Sequence, residues 1–156
     1  MAGDLIVAHA RIVTAEAVLT GSVAVAGGRI IDLDRDAACP PGAVDFEGDY
    51  LLPGLVELHT DHLERHYTPR PGVRWPAVTA VMAHDAQVAA AGITTVFDAL
   101  ALVGGRSGED RRETLRPMVD GIRRAQAGGM LRAEHFLHLR CEIGRASCRE
   151  RVYGLV

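Results

Sequence analysis

The sequence predicts an α/β protein: a parallel sheet or barrel, preceded by a small β-rich region. Three observations carry this reading. Branched apolar residues form short runs in the first third. From Leu55 to Cys141 the order is strand, helix, strand, helix, strand. Gly or Pro marks most of the junctions.

Leu5 to Val13 is rich in branched residues and reads as the first strand. Ser22 to Ala26 and Arg29 to Leu33 flank Gly27-Gly28, the pattern of a two-residue hairpin. Cys39-Pro40-Pro41-Gly42 breaks the chain, and a domain boundary is expected near Asp49. Leu51 to Gly54 is a turn, and Leu55 to Thr60 is a strand. A loop with Pro69, Pro71 and Pro76 leads to a helix over Ala77 to Ala91, stopped by Gly92. Ile93 to Phe97 is strand-like. Ser107 and Asp110 have capping-box spacing for a helix from Glu109 to Ala127, closed by Gly128-Gly129. Phe136 to Cys141 is the last strand.

The chain has 156 residues, 48% hydrophobic and 24% charged, an ordinary globular balance. A net charge of −3 argues against a nucleic-acid or membrane-surface partner. No run approaches the roughly 20 apolar residues that span a bilayer. Met1 to Ala8 lacks the basic start and long apolar run of a secretory signal. Cys39, Cys141 and Cys148 show no Cys-x-x-Cys spacing, so neither disulfides nor a structural zinc site is expected, and a reducing cytoplasm is the expected location.

Strand alternation puts Glu57, His59 and Asp61 on one face. A His and an Asp two apart at a strand end can share a divalent ion while leaving a position for water. A hydrogen-bonded His beside a solvated Asp fits the same spacing, and spacing alone favours that blander reading. In the last strand His138, Arg140 and Glu142 lie on one face, with Leu137, Leu139 and Cys141 on the other. Barrel enzymes place polar groups at such C-terminal strand ends; an edge strand with one wet face fits equally. His62, His66 and Arg70 fall in the loop after the metal-type strand, where Arg suits phosphate. His84 is expected to be an ordinary solvated histidine, and Asp98, at the end of the second strand, is either a site residue or a helix or loop cap.

Taken in order, several motifs resemble the PhnM family of the amidohydrolase superfamily. They are Pro53-Gly54-Leu55-Val56, His59-Thr60-Asp61, Thr68-Pro69-Arg70-Pro71-Gly72-Val73, Trp75-Pro76, His84-Asp85, Gly92-Ile93-Thr94-Thr95-Val96 and His138-Leu139-Arg140-Cys141-Glu142. The resemblance covers nearly all of residues 1–142. It implies a metal-bearing (β/α)8 TIM barrel flanked by a small β-sandwich domain. Residues 1–49 would be the N-terminal part of the small domain, and 50–142 the first three β/α units. It also implies hydrolysis of α-D-ribose 1-methylphosphonate 5-triphosphate to the 5-phosphate and diphosphate, in the carbon–phosphorus lyase pathway of phosphonate catabolism. Metal ligation is carried onto His59 and Asp61, with Glu142 as a further, bridging ligand. One or two divalent ions, zinc first, are the expected cofactor. Arg70, His66 and Arg140 are the expected contacts to the ribose triphosphate. Another amidohydrolase, a deaminase or cyclic amidase, would share the metal strand but not the Thr68-to-Trp75 loop. A small α/β binding module is the non-enzymatic alternative.

Beyond Glu142 the resemblance stops. Residues 142–152 read as a translated sequencing-library adapter, so 143–156 are expected to be an artefactual tail. A (β/α)8 barrel takes about 250 residues, so the chain as written is expected to lack later strands and to be inactive.

Overall fold

The computed structural model describes residues 4–35, 38–101 and 112–140. The expectations for Ser107, Glu109, Asp110, Cys141, Glu142 and the 143–156 tail lie outside the described residues. The chain divides into two compact units, Met1–Pro53 and Gly54–Val156.

The first unit is a five-stranded sheet. Strands β1 (Leu5–Val13), β2 (Val18–Ala26) and β3 (Arg29–Asp34) run antiparallel. The short β4 (Val44–Asp45) and β5 (Tyr50–Leu51) each pair with β1 in parallel. Gly27 and Gly28 join β2 to β3 with φ of 55° and 75°. A two-residue turn that matches strand twist needs positive φ at both positions, which Gly adopts without strain. Val7, Ala10, Ile12 and Val23 form this unit's core.

The second unit is a parallel sheet ordered β6-β7-β8, built from β6 (Leu55–Thr60), β7 (Ile93–Ala101) and β8 (Glu134–Arg140). Helices α1 (His62–Tyr67), α2 (Ala77–Ala90) and α3 (Arg112–Ala127) fill the connections. In α3, Leu115, Met118, Ile122 and Ala125 recur at helical spacing and are buried, whereas Glu113, Arg116 and Arg123 are exposed. Leu63 and Tyr67 of α1, Ala80 and Val81 of α2 and Leu100 of β7 complete that core. Leu63, Leu100, Leu115 and Ile122 are fully buried, each worth roughly 1.5–3 kcal/mol of transfer free energy. Gly92 takes φ 77° just beyond α2, which ends the helix and admits β7.

His62 and His66 were expected in a loop; the structure places both in α1. That helix has only six residues, and Leu63 and Tyr67, four apart, are its buried anchors. Such a short element has too little periodicity to stand out beside Pro69 and Pro71. Among the described residues no helix is long and apolar enough to cross a membrane.

Candidate metal and substrate site

The central strand β7 organises two polar groups, one on each face. Val96 and Leu100 face the helices, Val96 beside Val88 of α2 and Leu100 in the three-helix core. Ala99 and Ala101 therefore lie on the other face. They pair with His138 and Arg140 of β8 respectively. The flanking strands β6 and β8 are two strand spacings apart, about 10 Å. Because β7 offers only methyl groups at these positions, side chains from both flanks meet above it. The His59 and His138 rings stand edge to face with centroids 5.0 Å apart. His138 Nδ1 lies 3.3 Å from the Leu58 carbonyl oxygen. Arg140 Nη1 donates to Asp61 Oδ2 at 3.5 Å. Ala99 and Ala101 are buried beneath this group. Arg140 Nε is itself buried without a hydrogen-bond partner among the described residues.

Glu57 was expected on the face of His59 and Asp61, and the structure separates it. Glu57 pairs with Val96 and Thr60 with Asp98, so β6 carries one extra residue between those two pairs. Both partners are helix-facing residues of β7, and strict alternation therefore fails. Glu57 Oε1 instead accepts the backbone N–H of His59 at 2.9 Å.

A cavity of about 620 Å³ adjoins Asp61, and Arg65, Thr68, Arg74 and Thr114 also line it. Arg74 pairs with Glu113 at 3.5 Å, both side chains exposed. Arg70 lies in an exposed turn bridged to Val73 and is not among the cavity's lining residues. His66 turns to α2, where Nε2 meets Gln87 Oε1 at 3.0 Å. Of the expected site residues, the structure thus brings His59, Asp61 and Arg140 together, and adds His138. Arg70 and His66 are elsewhere, and Glu142 lies outside the described residues.

The opposite face of β7 holds a second, closed group. His84, expected to be solvated, is 1% exposed. Asp98, expected as a site residue or a cap, is fully buried and accepts from His84 Nε2 and His135 Nδ1, both at 2.8 Å. His135 Nε2 lies 3.4 Å from Asp85 Oδ1. Asp85 also accepts the backbone N–H groups of Arg132 and Ala133 at 2.9 Å and Arg132 Nη1 at 3.1 Å. Burial opposes charge on His135, but its hydrogen bonds to Asp98 and Asp85 outweigh that and raise its pKa above 6.5. Burial likewise opposes charge on both carboxylates. The two histidines overcome this at Asp98, and the backbone donors, Arg132 and His135 at Asp85, so both pKa values fall below 3.8.

The donor atoms of His84, Asp98 and His135 lie within 4.8 Å of one another, a group able to bind a metal. All three are closed off, however, whereas a hydrolytic ion keeps a position open for water and substrate. The sequence signal for burial was present. His84 and Asp85 follow Ala80 and Val81 at helical spacing, and Asp98 alternates with Val96 and Leu100.

No family model matches the chain. It is 47% identical over 139 residues to the α-D-ribose 1-methylphosphonate 5-triphosphate diphosphatase of Escherichia coli, covering 89% of this chain and 37% of that protein. Over most of its length, the chain is a relative of that hydrolase. It is also 38% identical over 98 residues to an allantoinase of Streptomyces avermitilis, 61% of this chain and 20% of the other. The chain thus spans about a third of the diphosphatase and a fifth of the allantoinase. Among solved structures, a D-hydantoinase matches 96% of the chain at TM-score 0.52 and 20% identity, the chain covering 30% of it. A D-hydantoinase from Thermus matches 97% at TM-score 0.51 and 15% identity, with 31% covered. The fold is that of the corresponding part of these amidohydrolase barrel enzymes.

Proposed function

We propose that this chain carries part of the site for metal-dependent hydrolysis of α-D-ribose 1-methylphosphonate 5-triphosphate to the 5-phosphate and diphosphate. The carrying observation is the 47% identity over 139 residues to a diphosphatase of that name. Any stretch of that length in this chain includes His59, Asp61 and His138.

Imidazole and carboxylate are donor types suited to a zinc-class ion. His59 and Asp61, with His138 beside them, would hold it through imidazole nitrogen and carboxylate oxygen, at strand ends open to water. Glu142 is the proposed bridging ligand. When bound, such an ion lowers the pKa of a water and neutralises phosphate charge. The Arg140 Nη1 pairing with Asp61 is long and part-exposed, so that nitrogen can turn to a phosphate oxygen. Arg65 and Arg74 flank the adjoining cavity with planar forks suited to the rest of a triphosphate. Arg70 is a further proposed phosphate contact, reaching from its exposed turn. His66, held by Gln87, serves the substrate only by leaving that partner.

The test is a calorimetric zinc titration followed by a diphosphate-release assay with the ribose triphosphate. His59→Ala and Asp61→Ala are each expected to weaken zinc binding at least tenfold, in the range of direct or supporting ligand losses. Zinc affinity unchanged in both variants overturns the metal assignment. A cyclic-amidase reading is favoured by the allantoinase relative. Hydrolysis of a cyclic amide without release of diphosphate would select it.

A further inference from the structure

The mechanism proposed above leaves the buried group on the helix side of β7 unused, and its placement gives it a task. His135 lies three residues before His138, about 10 Å along the same strand. It pairs with Val96, while His138 pairs with Ala99. Asp98 binds His84 of α2 through one carboxylate oxygen and His135 of β8 through the other. Asp85 of α2 takes the far side of His135 and the backbone at Arg132 and Ala133, where the chain enters β8. Both elements are thus tied to the central strand through the Asp98 carboxylate, and His135 also ties them to each other.

We propose that His135, Asp98, Asp85 and His84 are positioning residues: a buried clamp that sets the register of β8 on β7 and so brings His138 and Arg140 over Ala99 and Ala101 to meet His59 and Asp61. The physical ground is specificity. The other helix-side positions of β8 are Leu137 and Leu139, and apolar contacts alone discriminate poorly between registers two residues apart. A slip by two moves His138 about 7 Å along the strand and leaves two buried carboxylates without their imidazole. A slip by one turns His138 to the helices. Buried polar groups are best attested in this registry role.

The charges within the group balance. Asp85 and Asp98 are opposed by Arg132, on Asp85, and by protonated His135. His84 completes the group through its Nε2 contact to Asp98, and its Nδ1 is buried without a partner among the described residues. Among the described residues, His66, whose ring lies 5.7 Å from that of His84, and Gln126, which donates to the His135 carbonyl at 2.7 Å, also face this cluster.

The inference rests on the reading that the strand ends form the site, and nuclear magnetic resonance of the 156-residue chain separates the two. In the wild type, a ring-to-ring contact between His59 and His138 is expected, with both His135 nitrogens protonated below its raised pKa. In Asp98→Asn and His135→Gln the ring contact is expected to disappear while resonances of the Leu115 to Ala125 helix face persist. Zinc affinity is expected to fall about tenfold, as for other supporting-shell losses. If the variants do not fold, wild-type titration decides: the ring contact must fade with the same midpoint as His135 deprotonation. A ring contact absent from the wild type, or preserved in the variants or through that titration, overturns the clamp. Zinc that shifts His84 and His135 with release of a proton overturns it too, in favour of a buried metal site. Disappearance of the ring pairing in the variants of a protein that binds no zinc sustains the clamp and rejects the metal reading instead.

Discussion

Two groups of His, Asp and Arg side chains use opposite faces of β7, and their difference lies in burial rather than composition. On the open face, Arg140 and Asp61 are 30% and 48% exposed and 3.5 Å apart. Such a pair is worth about 0–1 kcal/mol and exchanges partners readily. On the closed face, His135 sits between Asp85 and Asp98, all three side chains wholly buried. Each carboxylate there depends on its partners, because an uncompensated buried charge is expensive. The same residue types thus form an adaptable site where water enters and a fixed scaffold where it does not.

The largest expected effect follows from removing the shared carboxylate. Asp98→Ala leaves His84 Nε2 and His135 Nδ1, both buried, without their shared acceptor and should cost about 3–5 kcal/mol in urea unfolding, or abolish folding of the second unit. Asp61→Ala should change stability by less than about 1 kcal/mol while removing zinc binding. Equal stability losses in the two variants would erase the distinction between the faces.

Ala99→Leu probes the floor between the two flanking strands. The added bulk should wedge His59 from His138, cost about 1–3 kcal/mol as overpacking, and weaken zinc binding. Wild-type zinc affinity in this variant would show that the two rings need no small residue beneath them.

The pH dependence of stability belongs to the closed face. The His135 pKa is raised in the folded protein, so its stabilisation is complete below about pH 6.5 and is lost as pH rises through the higher folded value. Asp85 and Asp98 have lowered pKa values, so theirs is present above about pH 3.8 and is lost as pH falls through the lower folded values. Urea midpoints should therefore plateau between these limits. His135→Gln should remove the alkaline decline attached to that group. An alkaline decline of unchanged size in the variant would place its origin elsewhere.

The smallest expected effect is at the cavity rim. Arg74 is exposed and its pairing with Glu113 is long, so Arg74→Ala should alter stability by under about 1 kcal/mol. It should weaken diphosphate binding several-fold, the loss of one charge-assisted contact. Diphosphate affinity unaffected by Arg74→Ala and by Arg65→Ala would remove the cavity from the substrate site.

Much of the backbone was legible in the sequence because its signals are local. Gly27-Gly28 specifies a tight hairpin, Gly92 ends a helix, and Leu137 and Leu139 alternate with His138 and Arg140 along one strand. The shared strand face of His59 and Asp61 was readable for the same reason. Tertiary structure decided the rest. The extra residue in β6 turned Glu57 away, and Ala99 and Ala101 mattered only once β6 and β8 flanked them. His84, Asp98 and His135 are separated by 14 and 37 residues, and alone each resembles a solvated side chain or a cap. Periodicity reports which way a side chain points. Whether a polar group is buried there depends on partners from distant elements, because only they replace the water it loses.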